Sequence, residues 1–114
     1  MIKKLKDLDV KVMKNTFEKD KLFLYDLSDF ENKNPKLRLF SLAVLKKGEM
    51  TDYHVHMGEA ETYYILSGLA MYNDNGVKKE IGPGTVTYTP SGSGHSIKNI
   101  GDEDLIFIAH IILD

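Results

Sequence analysis

The chain has 114 residues, 42% of them hydrophobic and 28% charged, which is enough apolar material for one core but not for two. Its 15 basic and 17 acidic side chains leave a net charge of −2, spread without like-charge blocks, so nucleic acid and acidic membrane surfaces are excluded as expected partners. No apolar run approaches the ~18 residues of a membrane span, the opening MIKKLKDLDV lacks a secretory core, and the absence of cysteine removes disulfides and thiolate metal sites; a cytoplasmic protein is the default expectation.

In chain order, Met1–Leu8 is the only stretch with room for a helical turn, with Leu5 and Leu8 three apart. Short β-rich segments follow at Val10–Met13, Leu22–Leu27 and Leu37–Leu45, with a loop over Asp26–Lys36 marked by Asp, Asn and Pro. The later strands are predicted at Tyr53–His56, Glu61–Ser67, Leu69–Asn73, Val77–Ile81, Thr85–Thr89, Ser96–Ile100 and Leu105–Leu113. Eight of the nine glycines fall between Gly48 and Gly94, the punctuation of a sandwich or barrel. Asn73-Asp74-Asn75-Gly76 is the sharpest hairpin signal, because Asn-Gly accepts the positive φ angles of a tight turn. Pro83 within Ile81-Gly82-Pro83-Gly84 marks another corner. The expectation is one all-β domain over 1–114, its core barrel about 22–113 and its N-terminal extension 1–21.

Two segments carry the chemistry. GEMTDYHVHMGEAETYYILSG places Gly48, His54, His56, Glu61 and Gly68 at fixed intervals, and GTVTYTPSGSGHSIKN does the same for Gly84, Pro90, Gly92, His95 and Asn99. In this order, these two patterns resemble the paired motifs of the cupin superfamily, with all ten positions in register. The resemblance implies a small single-domain cupin, a double-stranded β-helix or jelly roll, of the kind loosely described as mannose-6-phosphate-isomerase-like or oxalate-decarboxylase-like. It further implies one divalent metal (Mn, Fe, Ni, Zn or Co) on His54, His56, Glu61 and His95. Its function would then be enzymatic, of oxygenase, isomerase or decarboxylase type, on a small oxygen-chelating molecule such as a carboxylic acid or a sugar derivative. The alternative is a non-catalytic, metal-dependent binding or sensing protein.

The same residues make chemical sense on their own. Residues two apart on a strand share a face, so His54 and His56 project together. Three neutral imidazoles and a carboxylate leave about two positions of an octahedral ion open, the arrangement of a working site rather than a closed structural one. Met57–Ala60 reads as a turn, with Glu61 opening the returning strand; Glu59 and Glu80 read as surface charges. Gly48, Gly68, Gly84, Gly92 and Pro90 serve turns, and Asn99 ties up loop backbone.

Three further residues are candidates. Tyr63 is in phase with Glu61 and is a candidate catalytic proton donor, whereas Tyr53 and Tyr64 should point away from the metal. Arg38 is the sole arginine, and a guanidinium fork suits a carboxylate, so it is the candidate anchor for a small acid, with dicarboxylates and 2-oxo acids expected to be preferred. His110 shares a face with Ile106, Ile108 and Ile112 and reads as a core or interface histidine. The apolar segments Val10–Met13 and Ile106–Leu113 read as strand edges that a homodimer would cover.

Overall fold

The computed structural model describes residues Met1–Asp114. A 3-10 turn at Leu5–Asp7 precedes ten strands: β1 (Val10–Lys14), β2 (Lys21–Asp26), β3 (Leu37–Leu45), β4 (His54–Val55), β5 (Glu59–Ser67), β6 (Ala70–Asp74), β7 (Val77–Ile81), β8 (Val86–Thr89), β9 (Gly94–Asn99) and β10 (Leu105–Leu113). They pair into two antiparallel sheets, one ordered β1-β2-β3-β10-β5-β8 and the other β4-β9-β6-β7. The result is a β-sandwich of jelly-roll type. Each strand expected from alternation has a counterpart. The turn after His56 is shorter than expected, because β5 starts at Glu59 and carries Glu59 into the sheet.

Period-two patterning explains the core. Along β10, Leu105, Phe107, Ala109 and Ile111 are buried, while Ile106, Ile108, His110 and Ile112 face outward. Phe107, Leu45, Ile65, Ile97 and Leu105 are almost wholly buried at the centre, each worth about 1.5–3 kcal/mol of transfer free energy. Asn99, fully buried, donates to the carbonyls of Leu45 and Glu103 at 2.9 and 2.8 Å and accepts from the Gly101 amide at 2.9 Å.

The expectation that Ile106–Leu113 presents a free edge is corrected. β10 lies inside the six-stranded sheet, bonded to β3 on one side and β5 on the other. What is apolar is the sheet's outer face. One row of paired residues, Val10, Tyr25, Leu42, Ile108, Tyr64 and Val86, crosses all six strands.

Two turns show why the sequence closes where it does. Asn75 and Gly76 have φ of 50° and 98°, the pair of positive values that a two-residue hairpin between β6 and β7 requires. Gly68, at φ 96°, ends β5 where a Cβ would sit 2.8 Å from the Asp104 carbonyl oxygen and 2.9 Å from Leu105 Cα.

Residues ahead of β2 join the sandwich through β1, which forms one edge of the six-stranded sheet. Beyond it, the Thr16 amide and hydroxyl donate to Asp52 Oδ2 at 2.6 and 2.5 Å, and the Lys21 amide donates to Glu49. No helix is long and apolar enough to cross a membrane.

Candidate metal centre

His54 lies on β4, paired in register with His95 on β9, and His56 follows one turn of the pleat later. Glu61 comes from β5 in the opposite sheet, between Thr89 of β8 and Ile111 of β10. The four side chains bring one donor atom each within 4.8 Å of one another at a point where the two sheets meet. His95 Nε2 lies 3.0 Å from His54 Nε2, 3.1 Å from His56 Nε2 and 2.8 Å from Glu61 Oε1. Glu61 Oε1 is 2.9 Å from His56 Nε2 and 3.9 Å from His54 Nε2.

These spacings test whether a cation fits. Bonds of about 2.0–2.1 Å at right angles put neighbouring donors about 3 Å apart, which is what four of these separations show. The outward-facing nitrogens are each engaged elsewhere. His54 Nδ1 donates to the Asp52 carbonyl at 2.8 Å, and His56 Nδ1 donates to Glu59 Oε2 at 2.6 Å. His95 Nδ1 is 2.7 Å from the Tyr72 hydroxyl and 3.0 Å from Thr89 Oγ1; with Nδ1–H donating there, all three Nε2 atoms present lone pairs inward. Four acceptors packed this closely repel one another unless a cation or protons lie between them. The donor set therefore fits a divalent ion, and its imidazole and carboxylate chemistry suits several first-row metals.

The electrostatics agree. Burial by itself pushes the Glu61 carboxyl up, but His54, His95 and His56 outweigh it and hold it down at about 2. The Glu61 carboxylate, helped by the Asp52 carbonyl, raises His54 above the usual histidine value. Burial lowers His95, and Glu61 restores only part of the loss. Glu61 is thus an anion throughout the neutral range.

Glu59 is the functional residue that sequence reasoning missed. Far from being a surface charge, it is mostly buried, with 13% side-chain exposure. It accepts from His56 on one oxygen and from the Arg38 fork on both, Nε to Oε1 at 2.7 Å and Nη2 to Oε2 at 3.2 Å. Burial raises its pKa, and Arg38 and His56 more than reverse this. The available signal was its period-two phase with Glu61 and Tyr63. Tyr72 and Thr89, which hold His95, were also missed; Thr89 is directly opposite Glu61 in the β5–β8 register.

The cluster forms part of the wall of a cavity of ≈ 420 Å³ between the sheets. Arg38 lies at the cavity's rim with its side chain about half exposed (52%). Tyr63 lines the interior, its ring 4.9 Å from that of His95 and 4.6 Å from Phe107. Burial, then the Glu61 charge, drives its phenol well above the usual tyrosine value. Tyr53 and Tyr64 are about half exposed. His110 faces away from the cavity, edge-on to Phe40 at 5.9 Å on the outer face of the sheet.

A family model described as the cupin domain matches residues 41–111. The chain belongs to the cupin family. This cupin is 47% identical over 78 residues to the oxalate-binding protein of Thermotoga maritima, across 68% of its own length and 64% of the relative's. It is 31% identical over 96 residues to the oxalate decarboxylase of Bacillus subtilis, across 80% of its own length and 24% of the enzyme's. The chain therefore spans less than two thirds of either curated relative. The crystal structure of a Thermotoga maritima protein described as a predicted oxalate decarboxylase superposes with a TM-score of 0.89 at 35% identity, with 100% of both chains covered.

Proposed function

We propose that this cupin is a metal-dependent enzyme acting on a small carboxylic acid that chelates through oxygen, with His54, His56, Glu61 and His95 as the protein ligands of one divalent ion (Mn, Fe, Co, Ni or Zn). The observation that carries this reading is the convergence of three imidazole Nε2 atoms and one carboxylate oxygen, most of them 2.8–3.1 Å apart, at the wall of a cavity. Four protein donors leave about two octahedral positions for a bidentate ligand. A divalent ion there supplies Lewis acidity, polarising a bound carboxylate or carbonyl oxygen.

The chain's own residues do the rest. Glu59, Asp52, Tyr72 and Thr89 hold the three imidazoles in the tautomer that points Nε2 inward. Arg38 fixes Glu59 from the rim. Tyr63 keeps its proton across the neutral range and is the catalytic proton donor to a ligand in the cavity. The likeness to oxalate-named relatives makes oxalate the first acid to try.

A second reading, reversible binding without turnover, is favoured by the name of the oxalate-binding relative. Elemental analysis of protein purified without added metal is expected to find about one ion per chain, lost in Glu61→Ala and His95→Ala. Oxygen uptake and CO₂ release with candidate acids, set beside calorimetric titration, then separate the readings. Binding with no product supports the second; a folded protein that takes up no metal refutes both.

We also infer a homodimer through the outer face of the six-stranded sheet. Support comes from the exposure of its apolar side chains: Val12 at 45%, Tyr64 at 45%, Val86 at 63%, Tyr88 at 60% and Ile112 at 47%. A two-fold axis lets one such patch cover its own copy.

A further inference from the structure

The cavity is larger and more apolar than a two-carbon diacid needs. Its ≈ 420 Å³ equals the liquid volume of about 14 waters, and it falls within the range of pockets that enclose ligands with a substantial body. Oxalate, with two carbons and four oxygens, would fill a small part of it.

The polar groups are also unevenly placed. His54, His56 and Glu61 supply the chelating end. The six-stranded sheet contributes an apolar stretch, Leu22, Leu24, Leu39, Phe107 and Ile111 with the Tyr63 ring beside them, flanked by Lys11 and Lys14 of the edge strand and by Arg38. The apolar residues come from inward positions of β2, β3, β10 and β5; the register Leu39↔Ile111↔Glu61 sets two apolar side chains directly alongside the metal ligand Glu61, while the neighbouring row runs from Lys11 through Leu24, Ala43 and Phe107 to Ile65. Lys11 and Lys14 line the cavity from the exposed edge strand β1, with Lys11 beside Leu24, and the Arg38 fork is already closed on Glu59. A ligand carboxylate directed at Leu39, Phe107 and Ile111, on strands two or more places in from the lysines of β1, would lose its hydration for apolar neighbours, whereas an apolar group there displaces water that has few hydrogen bonds to lose.

We propose that the site selects a 2-oxo or 2-hydroxy monocarboxylic acid with an apolar side chain, branched aliphatic or aromatic. The carboxylate and its neighbouring oxygen form the chelating head, and the side chain lies on the Leu22–Leu24–Leu39–Phe107–Ile111 wall. This inference rests on the metal reading above and goes beyond it. It also departs from the preference for dicarboxylates that the lone arginine suggested.

Each methylene buried on such a wall tightens binding by about fourfold, the equivalent of ~0.8 kcal/mol. The test is calorimetric titration of the metal-loaded protein with oxalate, pyruvate, 4-methyl-2-oxopentanoate, phenylpyruvate and 2-oxoglutarate, with metal content measured on the same sample. The expected result is that 4-methyl-2-oxopentanoate and phenylpyruvate bind at least about tenfold tighter than pyruvate. 2-Oxoglutarate, which carries a charged tail of similar length, binds more weakly than either. If the protein holds its metal but binds oxalate or 2-oxoglutarate as tightly as the apolar acids, the side-chain proposal is overturned and the metal reading stands. If the protein takes up no metal, the metal reading fails, and this one fails with it.

Discussion

Glu59 shows how much of a metal site lies outside its ligands. Its carboxylate is the hydrogen-bond partner of His56 Nδ1, and Arg38 keeps it ionised and in place. Replacing it by glutamine leaves an acceptor of the same size but removes the charge. Glu59→Gln is therefore expected to weaken metal binding by about 10- to 100-fold, read by competition with a chromogenic chelator. Arg38→Ala should move affinity the same way by a smaller factor. Equal affinities in Glu59→Gln and the parent would assign Glu59 a structural role only. Glu61 gives a pH dependence with a definite sign. In metal-free protein its carboxyl is held at about 2 against an ordinary 4.5, so its stabilisation is complete above 4.5 and is lost as pH falls towards 2. At 1.36 kcal/mol per unit this amounts to about 3 kcal/mol. His95, whose value is lowered, adds to acid instability below its ordinary pKa. His54, raised above 6.5, acts oppositely: its contribution is full below the ordinary pKa and fades as pH rises through the folded one. Urea unfolding of chelator-treated protein at about pH 6 and about pH 3 measures the net loss.

Among the elements, the β5–β6 corner is the most demanding. Gly68 combines φ 96° with backbone 2.8 Å from where a Cβ would sit, so both conformation and space exclude a side chain. Gly68→Ala is expected to cost about 2–4 kcal/mol in chemical denaturation; a loss under ~0.5 kcal/mol would show that the corner can shift. That glycine was legible in the sequence, as were the strands, because alternation and turn residues act locally. That His54 and His56 share a face was legible from their spacing on a strand; that Glu61 and His95 join them was what the resemblance to the cupin motifs implied. What could not be read was contact across elements. Arg38 lies 21 residues from Glu59 in the chain, and no local pattern pairs them. β10 looked like an edge because its outward isoleucines are as hydrophobic as its inward side chains; sequence gives the period of a strand but not its neighbours.

The metal ligands come from both sheets, so an ion bound there joins them across the core. Chelation is expected to lower the melting temperature and Mn²⁺, Fe²⁺, Ni²⁺ or Zn²⁺ to restore it; a metal at about 1,000 times its dissociation constant adds ~4 kcal/mol. A melting curve unchanged after confirmed metal removal would contradict this. The outer face makes a second prediction for the intact molecule. Light scattering should report twice the 12.9 kDa chain mass, and the double variant Tyr64→Lys, Val86→Lys should report the single mass with its metal retained. A monomeric parent at micromolar concentration would remove the case for a dimer.

Asp52 connects the centre to the start of the chain. Its carbonyl orients the His54 ring while its side chain clamps Thr16, just past the edge strand β1. Whatever steadies His54 therefore also steadies the strand that borders the cavity mouth. Amide hydrogen exchange over residues 10–16 should slow when the ion is added and quicken when it is withdrawn, while β7, far from Asp52 in the other sheet, keeps its rate. Occupancy of the centre would then be readable as protection in a strand that holds none of its ligands.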